Sequence, residues 1–395
     1  MRTIQWLGLP LFAALVAVGL SCAPIEPSPD GEGSPEGKPD AVAYPVFDSP
    51  LEDKTKPLPE VPQSLQKRLE AAVNNIRARN LTFNNGFWTI FHGILGLGPG
   101  LELVDPKTKE RVKALDHISQ GHTLKGLVFK PKLKGVLGVE VVSTQDGLGQ
   151  GHQDQFIAEM AQWSMPADRK FRIDDKEYTF LDFVNFSQGN ASVNKSQELS
   201  WTIIVVGQYK GLDVEWKNLA GEKLHFDDIV RYELNQSVEN AACGGTHRLF
   251  GLSWVYHMHL GKGGKAEGVW QGVADKTAKY RELAKKFQNP DGTFSTNFFK
   301  GPGNDKDKNL RINTTGHILE WLALALSDEE LRQPWVQEAV SALCLQILDL
   351  QGAAIDGGGM YHAVHGLLIY YARVFDRKFC PPELMVPLPP GWKKV

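Results

Sequence analysis

From Ser64 onward, two kinds of stretch alternate along the chain. In one kind, apolar residues recur at helical spacing between charges, as in SLQKRLEAAVNNIRARN; in the other they occupy nearly every side, as in NNGFWTIFHGILGLG. The succession continues with PKTKERVKALDHISQG and GHQDQFIAEMAQWSM, KEYTFLDFVNFSQ and ELSWTIIVVGQY, and KLHFDDIVRYELNQ and GGTHRLFGLSWVYHMHL. It closes with GVADKTAKYRELAKKFQ and TTGHILEWLALAL, then PWVQEAVSALCLQILDL and GGMYHAVHGLLIYYARV. An amphipathic helix cannot bury its apolar face alone, and stacked neighbours solve that problem. The pattern therefore predicts an all-α body over residues 64–378, an α/α toroid of about six helical hairpins with the apolar helices inside. Residues 123–145, where Val, Leu and Phe alternate with Gly, Pro and Lys, predict a small β excursion, and residues 209–217 a second short one.

The ends of the chain read differently. Arg2 and the apolar stretch 6–20 run into small residues and Cys22, a segment too short for a membrane span. Residues 1–22 resemble a bacterial lipoprotein signal with Cys22 as the lipidated residue; an ordinary cleaved signal is the other reading. Either implies export, and the first implies attachment to a membrane by lipid on the periplasmic side of the cell envelope. Residues 23–63 are rich in Pro, Gly, Ser, Asp and Glu and cannot offset their ordering entropy, which predicts a disordered tether; residues 379–395 read as a Pro-rich tail. The net charge of −3 is spread over both signs with no basic stripe, so nucleic acid is not an expected partner. Among four cysteines, lipidation of Cys22 leaves Cys243, Cys344 and Cys380, room for one bridge at most, with Cys344–Cys380 the candidate pair.

Polar residues gather where the apolar helices begin. Asn85-Gly86-Phe87-Trp88 with His92, Gly151-His152-Gln153-Asp154, Ser200-Trp201, Gly245-Thr246-His247, Thr315-Gly316-His317, and Tyr361-His362 with His365 stand at these positions. If the inner helices of a ring all point one way, these groups share one face. Helix N-termini favour neutral imidazoles and anionic ligands. Trp88, His92, His152, Asp154, Trp201, Tyr361 and His365 are thus candidate ligand-binding residues, against a reading in which each is a satisfied cap or core group. Cys243 and His247, four apart, offer thiolate and imidazole, a donor pair suited to zinc, with His317 or His362 to complete it. His317 and Glu320 share a helix face, as a metal pair, an acid/base pair, or an imidazole oriented by a carboxylate. There is no phosphate loop, GLGPG follows a helix rather than a strand, and Asp305, Asp307 and Asn309 lack the glycine and closing glutamate of a calcium loop.

Several stretches resemble families built as α/α toroids. QNPDGTFS, residues 288–295, resembles the repeat of terpene cyclases and prenyltransferases, which implies zinc held by Asp, Cys and His types such as Asp291, Cys243 and His362. TTGHILEWLALAL, residues 314–326, resembles a stretch of sugar 2-epimerases and implies a catalytic His317 with His362 or His365 as second base. Thioester domains share the toroid and a Cys-Gly pair, and the whole body resembles uncharacterised bacterial lipoproteins. The leading expectation is a carbohydrate-active enzyme, epimerase- or lyase-like, with His317 as base, Glu320 as its orienter, His362 or His247 as acid, and aromatics such as Trp88 and Tyr361 stacking a small-molecule or polysaccharide ligand. The alternatives are a zinc-dependent enzyme acting on a lipid or isoprenoid and a non-catalytic ligand-binding or scaffold lipoprotein.

Overall fold

A computed structural model describes residues 24–25, 57–132, 138–144, 146–350 and 352–375. The signal and lipidation readings at 1–22, most of the tether and the tail at 379–395 lie outside these residues. Pro24–Ile25 form a two-residue strand antiparallel to Ile355–Asp356.

The described chain is mostly helical. In chain order its helices are α1 (Gln63–Arg77), α2 (Phe87–Leu97), α3 (Ala114–Ser119), α4 (Gln155–Gln162), α5 (Phe180–Asn190) and α6 (Ser200–Lys210). Then follow α7 (Phe226–Asn235), α8 (Thr246–Gly261), α9 (Val269–Lys286), α10 (Lys308–Ala325), the single turn α11 (Asp328–Leu331), α12 (Pro334–Leu348) and α13 (Gly357–Val374). None is long and apolar enough to cross a membrane.

The apolar helices are buried along most of their length, α13 from Gly357 to Val374 without a break. They touch in sequence: α2 packs on α4, α4 on α6, α6 on α8, α8 on α10, α10 on α13, and α13 back on α2. The more charged helices flank them, α1 on α12 and α13, α7 and α9 on α8, and α12 on α10. A helix buried on every side needs close neighbours, and glycine supplies the approach where α10 meets α13. A Cβ on Gly316 would stand 2.6 Å from that of Ala363, and one on Gly366 2.7 Å from the Cα of Glu320. Each large apolar side chain buried here, such as Trp321, Leu322 or Leu367, contributes about 1.5–3 kcal/mol relative to exposure.

The excursion expected at 123–145 is a hairpin of Phe129–Lys132 with Gly138–Val141, and the one near 209–217 pairs Glu215–Lys217 with Lys223–His225. Two further hairpins, Glu102–Val104 with Arg111–Lys113 and Lys170–Ile173 with Lys176–Thr179, correct the sequence reading. PKTKERVKALDHISQG, KEYTFLDFVNFSQ and KLHFDDIVRYELNQ each pass through a strand and only then become α3, α5 and α7. The switch is local: Asp182 and Asp228 reach back to accept from the backbone N–H of Thr179 (2.6 Å) and His225 (2.8 Å), starting each helix where its strand ends.

Candidate metal centre

Six buried helices deliver side chains to one place. α2 brings Trp88 and His92, the turn before α4 brings His152, α6 brings Trp201, the turn before α8 brings Cys243, and α8, α10 and α13 bring His247, His317 and His362. The imidazole of His247 is the hub. Its ring centroid lies 4.9 Å from His152, 5.3 Å from His317, 5.2 Å from His362 and 4.8 Å from Trp201. His317 and His362 are 4.2 Å apart, and His92 and His362 5.2 Å.

The backbone that carries Cys243 is unusual. Cys243, Gly244 and Gly245 are all left-handed (φ 49°, 61° and 76°), a conformation glycine adopts freely and cysteine at a cost of roughly 1 kcal/mol or more. A Cβ on Gly244 would lie 2.1 Å from the ring of Phe298, so no other residue fits there. Glu233 fixes the neighbouring helix starts. It accepts from the backbone N–H of Leu199 (2.7 Å), from Ser200 Oγ (3.0 Å) and from Arg248 Nε (2.7 Å), tying the beginnings of α6 and α8 together.

Four imidazoles are held at Nδ1 by an acceptor behind them. The Nδ1–H of His92 donates to the carbonyl of Trp88 (2.7 Å), that of His152 to Glu198 (2.7 Å), that of His317 to the carbonyl of Asn313 (2.8 Å) and that of His362 to Glu320 (2.8 Å). Each ring is therefore turned with Nε2 away from its acceptor, the arrangement found behind metal-bound histidines. His247 goes further: it is buried and neither ring nitrogen has a hydrogen-bond partner. An unsatisfied buried polar group costs about 1–3 kcal/mol, so two on one ring require an explanation. Donor atoms of His152, Cys243 and His247 lie within 4.8 Å of one another, and so do those of His247, His317 and His362 and those of His92, Glu159 and His362. Thiolate plus imidazoles is a donor set that suits zinc.

The charges fit the same reading. Burial works to raise the Cys243 thiol, but the adjacent His317 and His152 pull it down to about 6. Burial works to lower His152, and the carboxylate of Glu198 with the Cys243 thiolate overrides it, raising His152 to about 10. His317 is raised against burial by the same thiolate. Burial and the neighbouring imidazoles hold His92 and His247 well below the ordinary histidine value. His362 is lowered to about 4 by burial despite Glu320, and Glu320 is lowered to about 2 against burial by His362 and His365. Thus Glu320 is an ionised acceptor for the neutral imidazole of His362.

Several sequence expectations change here. Glu320 does not orient His317; its two oxygens accept from His362 and from His365 (2.6 Å), because these share one face of α13 opposite it. His365 stands one turn beyond the cluster as the second wing of that clamp. His317 is not in a first turn, since α10 begins at Lys308, capped by Asp307. Tyr361 is fully buried and faces α2, its ring lying in the notch at Gly93 and Gly96. Trp88 and Trp201 are also buried, 7% and 2% exposed, so none of the three offers a face for stacking a sugar from solvent. Asp154 turns aside, accepting from Ser187 Oγ (2.7 Å) and Thr202 Oγ1 (2.6 Å) as a pin between helices. Asp291 is half-exposed and pairs with Arg311 away from the cluster. Cys344 is a free buried thiol, and Cys380 lies outside the described residues.

The sequence reading passed over Glu198, Glu233 and Glu159, which no local motif marks. Glu198 and Glu233 act on residues from other hairpins, so spacing along the chain carries no signal for them. No family model matches the chain, and no match is found to a curated protein or to a solved structure.

Proposed function

We propose that the protein is a metal-dependent enzyme with a zinc-type centre held by Cys243, His152 and His247, with His317 beside them. The observation that carries the reading is the buried His247 ring with two unpartnered nitrogens, facing a thiol and imidazoles whose outer nitrogens are already held. A cation here takes up one of those nitrogens, accepts the thiolate and leaves a position for water or substrate, as catalytic zinc sites do. Cys243 is the partly exposed residue of an otherwise buried set, so the approach from solvent is at the Cys243 turn. The ring of Phe298, packed on Gly244, makes that turn apolar, which favours a lipid or isoprenoid-like substrate over a polysaccharide.

The ring of contacts from α2 through α13 and back supports a closed α/α toroid. With the segment at 1–22 it supports an exported, lipid-anchored protein of the cell envelope. A second reading rests on the line Cys243, His152, Glu198: a thiolate at a helix start, an imidazole beside it and a carboxylate behind the imidazole make a nucleophile with its base and orienter. Metal content decides between them. Purified full-length protein dialysed against zinc and analysed by elemental mass spectrometry retains zinc on the metal reading, and the Cys243→Ser and His247→Ala variants retain less. Wild-type protein that holds no zinc, while an electrophilic thiol probe inactivates it at Cys243, favours the nucleophile.

A further inference from the structure

Glu159 is the side chain in the cluster that the first centre does not use. It lies on α4, is fully buried, and neither carboxylate oxygen has a hydrogen-bond partner. His92 Nε2 stands 3.5 Å from one of them, longer than an ordinary hydrogen bond, and that nitrogen already accepts from the Gln155 amide at 3.0 Å. His362 Nε2, which closes the group, is likewise buried and unpartnered. A carboxylate with nothing to bind, deep among apolar side chains, is costly unless something compensates it. The donor atoms of His92, Glu159 and His362 lie within 4.8 Å of one another. Behind two of these ligands stand fixed acceptors, the Trp88 carbonyl for His92 and the Glu320 carboxylate for His362.

We infer that His92, Glu159 and His362 form a second metal site, so that the protein carries a two-metal centre. The inference rests on the first centre being a metal site as well. The two ligand sets share no residue: one is His152, Cys243 and His247, the other His92, Glu159 and His362. They are neighbours, because His247 and His362, one from each, have ring centroids 5.2 Å apart, with His317 beside both at 5.3 Å and 4.2 Å. The sets differ in character. The first has a soft thiolate; the second has one carboxylate and two imidazoles, a donor set that also accepts manganese or iron. When the second ion binds, the Gln155 amide passes from His92 to the carboxylate oxygen left free. Two adjacent cations facing one approach fit a substrate or water bound between them.

The test is a stoichiometry. Cobalt(II) is titrated into the metal-stripped full-length protein while two quantities are followed: total bound metal by equilibrium dialysis, and the thiolate-to-cobalt absorption that, of the two sets, the one with Cys243 gives. The expected result is two ions per chain, with the thiolate absorption complete after one. Glu159→Gln is expected to bind one ion and keep the thiolate absorption, and Cys243→Ser to bind one and lose it. One ion per wild-type chain, unchanged in Glu159→Gln, overturns the second site and leaves the first standing. No bound ion removes both. The wild-type titration decides the matter even if a variant fails to fold.

Discussion

The carboxylate of Glu320 accepts the Nδ1–H of His362 at 2.8 Å and thereby turns the other nitrogen of that ring toward the cluster. The same carboxylate holds His365 at 2.6 Å, so one buried charge ties α10 to two successive turns of α13. Substitution Glu320→Gln keeps the size and one acceptor but loses the charge. Its affinity for the second ion, the one held by His362, is expected to fall by about 10–100-fold in the cobalt(II) titration, the usual effect of removing a partner behind a metal-bound histidine. Glu320→Ala leaves both imidazoles without acceptors and is expected to cost about 3–5 kcal/mol in urea unfolding. An unchanged midpoint and affinity would show the clamp to be idle.

The two described thiols should react very differently. Cys243 is partly exposed and held to about 6 by His317 and His152 against burial, whereas burial pushes Cys344 up to about 12. Iodoacetamide added to metal-stripped protein at pH 7 is expected to modify Cys243 and spare Cys344, read by peptide mass spectrometry. The Cys243 rate should fall as pH drops below about 6, since the thiolate is the reactive form. Added zinc should protect it. Equal modification of both cysteines would contradict the geometry described for the Cys243 turn.

His257 gives a pH effect away from the candidate centre. It is buried, its Nε2–H bonds the Leu324 carbonyl at 3.0 Å, and burial with the charge of Arg373 lowers it from 6.5 to about 3. The unfolded chain takes up this proton near pH 6.5, while the folded chain resists until about pH 3. The stabilisation is therefore complete above pH 6.5 and is lost as the pH falls through that window, by at most about 1.4 kcal/mol per pH unit. His257→Gln is expected to unfold with a shallower loss of stability between pH 6.5 and 4 than wild type does. Parallel profiles would mean that the histidine titrates normally in the fold.

Gly366 tests how tightly α10 and α13 must approach. A methyl group there meets the backbone of Glu320 at 2.7 Å, with neither side a flexible chain end. Gly366→Ala is expected to destabilise the protein by about 1–3 kcal/mol, as overpacking does, and to weaken binding of the second ion because the Glu320–His362 pair is displaced. Retention of both stability and affinity would indicate that the helices have room to part.

Much of this was legible in the sequence, for physical reasons that differ from residue to residue. Helical periodicity and the run of apolar helices place His92, His152, His247 and His362 near helix starts, and packing brings them together. The Cys243–His247 pair is visible because a glycine pair beside a cysteine marks a turn no other residue type accommodates. The strands before α3, α5 and α7 were not legible: RVK, KEYT and KLH are too short to show alternation, and each merges into a helical pattern. The beginning of α10 was hidden because KNLRIN is polar and reads as loop until Asp307 is seen to cap it. The partner of Glu320 was misassigned because spacing along one helix favours His317, while the actual partners come from α13. Aromatic residues near helix starts suggested an open sugar site, and burial closed it.

The donors gathered around His247 span the folded chain from its first buried helix to its last. Severing the polypeptide anywhere between them therefore removes a ligand, and a fragment from either end is left with half a set and no way to complete it. Chemistry at this spot is a property of the finished fold, available only once the last helix has docked beside the first.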